Sequence, residues 1–208
     1  MEKRDKLDLF ADTKSLELWA EDMVPAEAID CTRCELYKHG GRIIWGEGNP
    51  QAAIVVLLDN PGARENKLGE PFVCGSRKTL YDAVSKVGLD ENDIYLTFVL
   101  RCRPRRKYDK DLSRSTCIKF LHNHLLNKKP KIIFCLGNIS AQWYLNNPAV
   151  TIKELRGKIH SHENILTAFS YHPLAVRRRP VLLQLFIQDW NLVADFYRTQ
   201  LDDFSSKQ

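Results

Sequence analysis

Short continuous apolar runs alternate along the chain with segments in which apolar residues recur every three or four positions. The runs are AAIVVLL (Ala52 to Leu58), DIYLTFVL (Asp93 to Leu100), KIIFCLG (Lys131 to Gly137) and ILTAFSY (Ile165 to Tyr171). A run with no polar side fits a strand buried on both faces, and the first ends in Asp-Asn-Pro-Gly, a turn signal. Helical spacing predicts helices over Ser76 to Leu89, with apolar residues at 80, 83, 84 and 87, and over Ser113 to Leu126, Asn138 to Asn147 and Leu182 to Leu201. Strands that alternate with helices imply a parallel sheet. The expected fold class is therefore α/β, a three-layer α/β/α arrangement around a central, mainly parallel four-stranded sheet. In such sheets ligands bind outside the carboxyl ends of the strands, which directs attention to the segments DNPG, RCRP, LGNIS and SYHP. No internal repeat and no Gly/Ser/Pro-rich linker divides the chain. Residues 31–208 are expected to form one domain, with residues 1–30 as an acidic lead-in packed on it.

Composition narrows the class. With 208 residues, 44% of them hydrophobic and 10% aromatic, the chain can bury enough surface to offset its conformational entropy, which excludes a disordered protein. No apolar run approaches the roughly 18 residues of a membrane span, and MEKRDKLDLF has no apolar segment after its basic residues. The expectation is a protein neither embedded in a membrane nor exported. Six cysteines are too sparse for a disulfide scaffold, so the thiols are expected reduced, in a cytoplasm, and available as ligands.

Charge is uneven. Residues 1–30 hold nine acids and four bases, leaving residues 31–208 with 27 bases against 17 acids, a net +10. Much of the excess lies in RCRPRRKYDK (Arg101 to Lys110) and VRRRP (Val176 to Pro180), which can act as phosphate-contacting stripes or as solvated loops; charge alone leaves both open.

Cys31 and Cys34 form a C-x-x-C, and Cys102 and Cys117 a pair with fourteen residues between them. A zinc ribbon repeats the short spacing in its second half, and this chain does not. Four thiolates on separated loops can also hold an iron-sulfur cluster, and a thioredoxin-like redox pair stays open on spacing alone, although such a pair opens a helix directly after a strand. Cys135, inside an apolar run, reads as core; Cys74 follows Phe72 and Val73 in a loop.

Taken together, CTRCELY, WGEGNPQAAIVVLLDNPGARENKLGEPFV, DIYLTFVLRCRP with Cys117 after it, IIFCLGNISAQ, ELRGKI and SYHPLAVRRRP resemble, in order across residues 31–180, the iron-sulfur uracil-DNA glycosylases, the family-4 branch of the uracil-DNA glycosylase superfamily. The resemblance implies a base-excision DNA repair hydrolase, a [4Fe-4S] cluster of structural role held by Cys31, Cys34, Cys102 and Cys117, and DNA as partner, with no membrane and a monomeric chain. It places the first catalytic motif, usually Gly-Glu-(Ala/Gly)-Pro-Gly, at Leu58 to Gly62, so that Asp59 or Asn60 positions the attacking water. It places His172 where a hydrogen bond stabilises the departing base, and Phe72 where an aromatic ring stacks on the flipped base. Gly62 and Phe98 fall in the base pocket. Arg103, Arg105, Arg106, Arg177 and Arg178 are expected on the DNA, with Val176 or Arg177 as the wedge that fills the gap in the stack.

Two positions depart from the family pattern. The strand before the third cysteine commonly reads Thr-Asn-Val-Val-Lys-Cys-Arg-Pro, its Asn recognising uracil; here Phe98 replaces that amide. Asp59-Asn60-Pro61-Gly62 looks like the Asn-Pro-Gly motif of other branches of the superfamily, where the Asn orients water. The leading expectation is a monofunctional glycosylase on uracil or another deaminated base. A cluster-bearing, DNA-binding member that does no excision is the alternative. A redox or small-molecule iron-sulfur protein fits less well, because its basic loops would be idle.

Overall fold

The structure is a computed structural model that describes residues 19–62 and 75–205. Six strands form one sheet: β1 (Glu47–Gly48), β2 (Ile54–Leu58), β3 (Ile94–Phe98), β4 (Ile132–Leu136), β5 (His160–His162) and β6 (Ile165–Ser170), in the order β1-β3-β2-β4-β6-β5. The helices are α1 (Gly75–Lys86), α2 (Lys110–Lys128), α3 (Asn138–Tyr144), α4 (Ile152–Leu155), α5 (Pro173–Arg178) and α6 (Leu183–Ser205). The four central strands run parallel, in a register that sets Leu58 beside Phe98 and Ile54 beside Ile132. These are the four strands the apolar runs predict. The sheet exceeds the expected four strands because β1 and β5 add antiparallel edges. Both are short, and β5 is the polar His-Ser-His, so neither leaves an apolar run in the sequence; short polar edges also blunt further pairing.

Every residue of β2, β3 and β4 is buried, and successive side chains enter opposite faces. Val56, Leu96 and Phe134 share one apolar cluster with Leu80 and Val84 of α1 and with Phe186 and Trp190 of α6. Val55, Tyr95 and Ile133 share another with Leu121 and Leu125 of α2 and Tyr144 of α3. Each large side chain buried this way contributes about 1.5–3 kcal/mol. Of the acidic lead-in, Trp19 is buried in the first cluster, and Ala20 and Asp22 hydrogen-bond to Gly48 and Gly46 along β1.

Candidate active site

A cavity of about 520 Å³ opens at the carboxyl ends of β2, β3, β4 and β6. The loop after β2 contributes Asp59, Asn60 and Gly62; β3 and the segment after it contribute Phe98 and Arg103; Gly137 follows β4 and Asn138 to Ser140 open α3; His172 to Leu174 follow β6; and Ser76, Arg77 and Leu80 come from α1. This is where the strand order reverses, because β3 and β4 follow β2 in the chain yet lie on opposite sides of it. Loops diverge at such a point and leave a crevice.

Asp59 is gripped by α2. Arg114 donates from Nε to Oδ1 at 3.1 Å and from an Nη to Oδ2 at 2.9 Å, a bidentate pair that fixes the carboxylate in direction as well as charge. The Asp59 carbonyl accepts from the Leu100 amide at 2.8 Å. Asn60 donates from Nδ2 to the Pro61 carbonyl at 2.8 Å, which fixes the sense of the amide and leaves Oδ1 as its acceptor end.

His172 is the N-cap of α5. Its Nδ1 accepts the Leu174 amide at 3.1 Å, so the neutral ring carries its proton on Nε2 and that nitrogen is a donor. Two neighbours set its place. Gly137, at φ +103°, passes so close that a Cβ there would lie 3.0 Å from the histidine Cβ. At the end of β6, the Ser170 hydroxyl donates to Asp189 at 2.5 Å, and Asp189 is also held by Arg156.

Phe98 is 1% exposed and forms part of the cavity wall. The Arg77 guanidinium lies 5.9 Å from the centre of its ring and forms a buried ion pair with Glu47.

The structure separates the remaining predicted residues. Arg105, Arg106 and Arg178 are exposed, and Arg103 is half-buried. Arg177 packs its guanidinium against Gly75, where a Cβ would collide with it. Val176 is 3% exposed and belongs to the core cluster, so it does not face a duplex; helical rotation turns Pro173 and Val176 inward and leaves Leu174, 39% exposed, on the cavity rim. Arg101, the first residue of the basic run, is also internal: it bonds to the Trp45 carbonyl, Thr97 and His124, and burial lowers its pKa to about 10. Phe72 and Cys74 lie outside the described residues.

Cys34, Cys102 and Cys117 pack around Leu36 and Leu100, and Cys31 adjoins them, sharing with Cys102 the lining of a second cavity. Burial, then Cys117, Cys34 and Cys31, push the Cys102 thiol up to about 12; burial also raises Cys117. Cys102 and Cys117, so raised, resist ionisation without a cation beside them, and a metal cluster would supply that cation. Among the described residues no group of three or more His, Cys, Asp or Glu could hold a metal ion. An all-cysteine donor set has the chemistry of an iron-sulfur cluster. Cys135 is buried in β4, away from this group.

Sequence reading missed Arg77 and Arg114. Each had a signal: Arg77 stands on the stripe of 80, 84 and 87, and Arg114 on that of 117, 121 and 125, and a charge on a core-facing stripe needs a partner.

A model of the uracil DNA glycosylase superfamily matches residues 45–193. Among curated relatives, the type-4 uracil-DNA glycosylase of Archaeoglobus fulgidus is 32% identical over 182 residues, covering 84% of this chain and 92% of that protein. The type-4 enzyme of Pyrobaculum aerophilum is 29% identical over 183 residues, with the same coverage of 84% and 92%. That of Saccharolobus solfataricus is 28% identical over 195 residues, covering 88% and 90%.

Proposed function

The chain belongs to the uracil DNA glycosylase superfamily, and from that membership we propose that it hydrolyses the N-glycosidic bond of uracil or another deaminated base in DNA, opening base excision repair. The observation that carries this reading is one cavity whose walls include both an oriented amide, Asn60, and a histidine, His172, whose capping bond makes Nε2 a donor.

The target base leaves the stack and enters the cavity. A water held on Asn60 Oδ1 bonds through its oxygen to C1′ as the C1′–N bond breaks. The bonding pair departs with the base, His172 Nε2–H donates to a base carbonyl as negative charge gathers there, and the water's proton passes to solvent. Asp59, fixed by Arg114, holds a negative charge beside the sugar as it becomes cationic. Among the described residues no lysine lines the cavity. That supports water rather than an amine as nucleophile, and hence a monofunctional enzyme. Leu174 takes the wedge role in place of Val176, and Phe72 stacks on the base. Arg103, Arg105, Arg106, Arg177 and Arg178 contact phosphates.

Cys31, Cys34, Cys102 and Cys117 would hold a [4Fe-4S] cluster. When bound, it would tie the segment of Cys31 and Cys34, the segment after β3 and α2 together, and would take no part in bond breaking. We read the protein as a cytoplasmic monomer; among the described residues no helix is long and apolar enough to cross a membrane.

Single- and double-stranded oligonucleotides carrying uracil, hypoxanthine or xanthine test this. The expected result is a strand that breaks only after alkali, with Asn60→Ala and His172→Ala each slower by about 10²- to 10³-fold. The alternative, a DNA-binding member without excision, draws support from Phe98 standing in the base pocket. Tight binding of these oligonucleotides with no base released would establish it.

A further inference from the structure

We propose that Arg77 selects the base, and that the class it selects is the 6-oxopurines, above all hypoxanthine, recognised along their O6/N7 edge. This rests on the reading of the cavity as a glycosylase base pocket.

The argument begins with cost. A buried ion pair is seldom worth more than the apolar packing it displaces, and Arg77 with Glu47 stands on an otherwise apolar helix face. Its placement gives it a use: Arg77 lines the cavity, while Glu47 holds the guanidinium from outside it. Phe98, immediately beside it, offers a base only shape and stacking. Beside Phe98 on this wall the charged group is Arg77, which donates and cannot accept, with the Ser76 hydroxyl as its polar neighbour on α1. Arg103 also lines the cavity, but it is half-buried and belongs to the exposed basic loop.

A donor-only fork discriminates between bases. Uracil presents acceptor, donor, acceptor along O2, N3–H and O4, so a guanidinium that takes one carbonyl sets a second N–H against N3–H or C5–H. Hypoxanthine presents O6 and N7 side by side, the pair of acceptors that matches the guanidinium fork. A cavity of about 520 Å³ has room for a bicyclic base. Guanine carries the same edge, but its full pairing with cytosine makes extraction costly, whereas mispaired hypoxanthine leaves the stack more readily.

The test measures single-turnover excision of hypoxanthine and uracil from the same sequence context by the cluster-bearing protein. Hypoxanthine is expected to react faster by about 10- to 100-fold, the worth of one bidentate contact. In Arg77→Gln that ratio should collapse toward one. Because this variant leaves Glu47 buried without a counter-charge, Arg77→Met combined with Glu47→Gln serves as a neutral pair and should show the same collapse. Phe98→Asn should move the ratio toward uracil by restoring an amide. Uracil excised as fast as hypoxanthine by the parent, or Arg77 variants that slow both bases equally, would overturn the proposal. If no base is released from any oligonucleotide, the hydrolytic reading fails. Calorimetric titration with free hypoxanthine and free uracil then decides the inference: hypoxanthine binding at least about tenfold tighter supports it, and equal, reversed or absent binding refutes it.

Discussion

His124 lies at the centre of a buried chain of hydrogen bonds on α2. The Arg101 guanidinium stands 3.1 Å from Nδ1, and because a guanidinium only donates, Nδ1 must accept. Nε2 then carries the proton toward the Tyr95 hydroxyl at 3.2 Å, and that hydroxyl donates to Asp22 at 2.7 Å. His124, Tyr95 and Asp22 are satisfied with the ring neutral; a second proton would point at Arg101. Burial, then Arg101 and Lys128, hold the His124 pKa down to about 3. In the unfolded chain it returns to about 6.5, so between those values the unfolded state binds the extra proton. The contribution is complete above about pH 6.5 and declines as pH falls toward about 3, by at most about 1.4 kcal/mol per unit. Urea midpoints measured from pH 7.5 to pH 5 should fall more steeply for the parent than for His124→Gln, and parallel curves would refute the assignment. Nothing in the sequence marks this histidine, because its partners come from 29 and 23 residues away. Asp59, Asn60 and His172, by contrast, stand within two residues of the end of an apolar run, so the strand-end segments DNPG and SYHP already pointed to the place where they line the cavity. Val176 was expected as the wedge from its closeness to His172 in the chain, whereas the residues after His172 form a helix whose inner face carries it.

Among the elements, the four parallel strands were readable because burial on both faces erases polar alternation, and the edges were not because two or three residues carry no period. The start of α2 was read three residues late, at Ser113, because its cap is Asp109, which accepts the Leu112 amide at 2.9 Å. That extra turn matters, since α2 carries Arg114, the clamp on Asp59, one turn before Cys117. Leu100, whose amide holds the Asp59 carbonyl, lies two residues before Cys102. The loop after β2 is thus pinned by both segments that carry the last two cysteines. Cys117→Ala should lose iron and sulfide on purification and slow excision together, whereas Cys135→Ala, within the sheet, should keep its metal at a modest loss of stability. Metal analysis of the parent that finds zinc without iron or sulfide would defeat the cluster. Arg114→Met keeps the cysteines and removes only the clamp. It should retain full iron while losing stability toward the low end of the about 3–5 kcal/mol of a broken buried pair, because Asp59 is still 22% exposed.

For the molecule as a whole, the net +10 beyond residue 30 overstates the charge available to a polyanion. Arg77, Arg101 and Arg114 are buried, and Arg77, Arg114 and Arg156 are engaged by Glu47, Asp59 and Asp189. What remains exposed in the two basic runs includes Arg105 and Arg106, after the cavity-lining Arg103, and Arg177, Arg178 and Arg179 at the end of α5 and just after it. Salt dependence counts such contacts, because each phosphate neutralised on a duplex releases counterions and adds about −0.9 to the slope of log K against log salt. Arg105→Ala with Arg106→Ala should therefore flatten that slope by about 1.8 at most, and weaken binding to every sequence alike. Arg101→Ala should leave the slope unchanged and lower stability instead, since it removes the donor that the Trp45 carbonyl and His124 accept. Should Arg101→Ala flatten the slope as much as the double variant, the guanidinium would have to reach a phosphate, and its buried place among Trp45, Thr97 and His124 would be wrong. Should neither alter it, the DNA lies on another face of the molecule, and the cavity would have to receive its base from a strand held elsewhere.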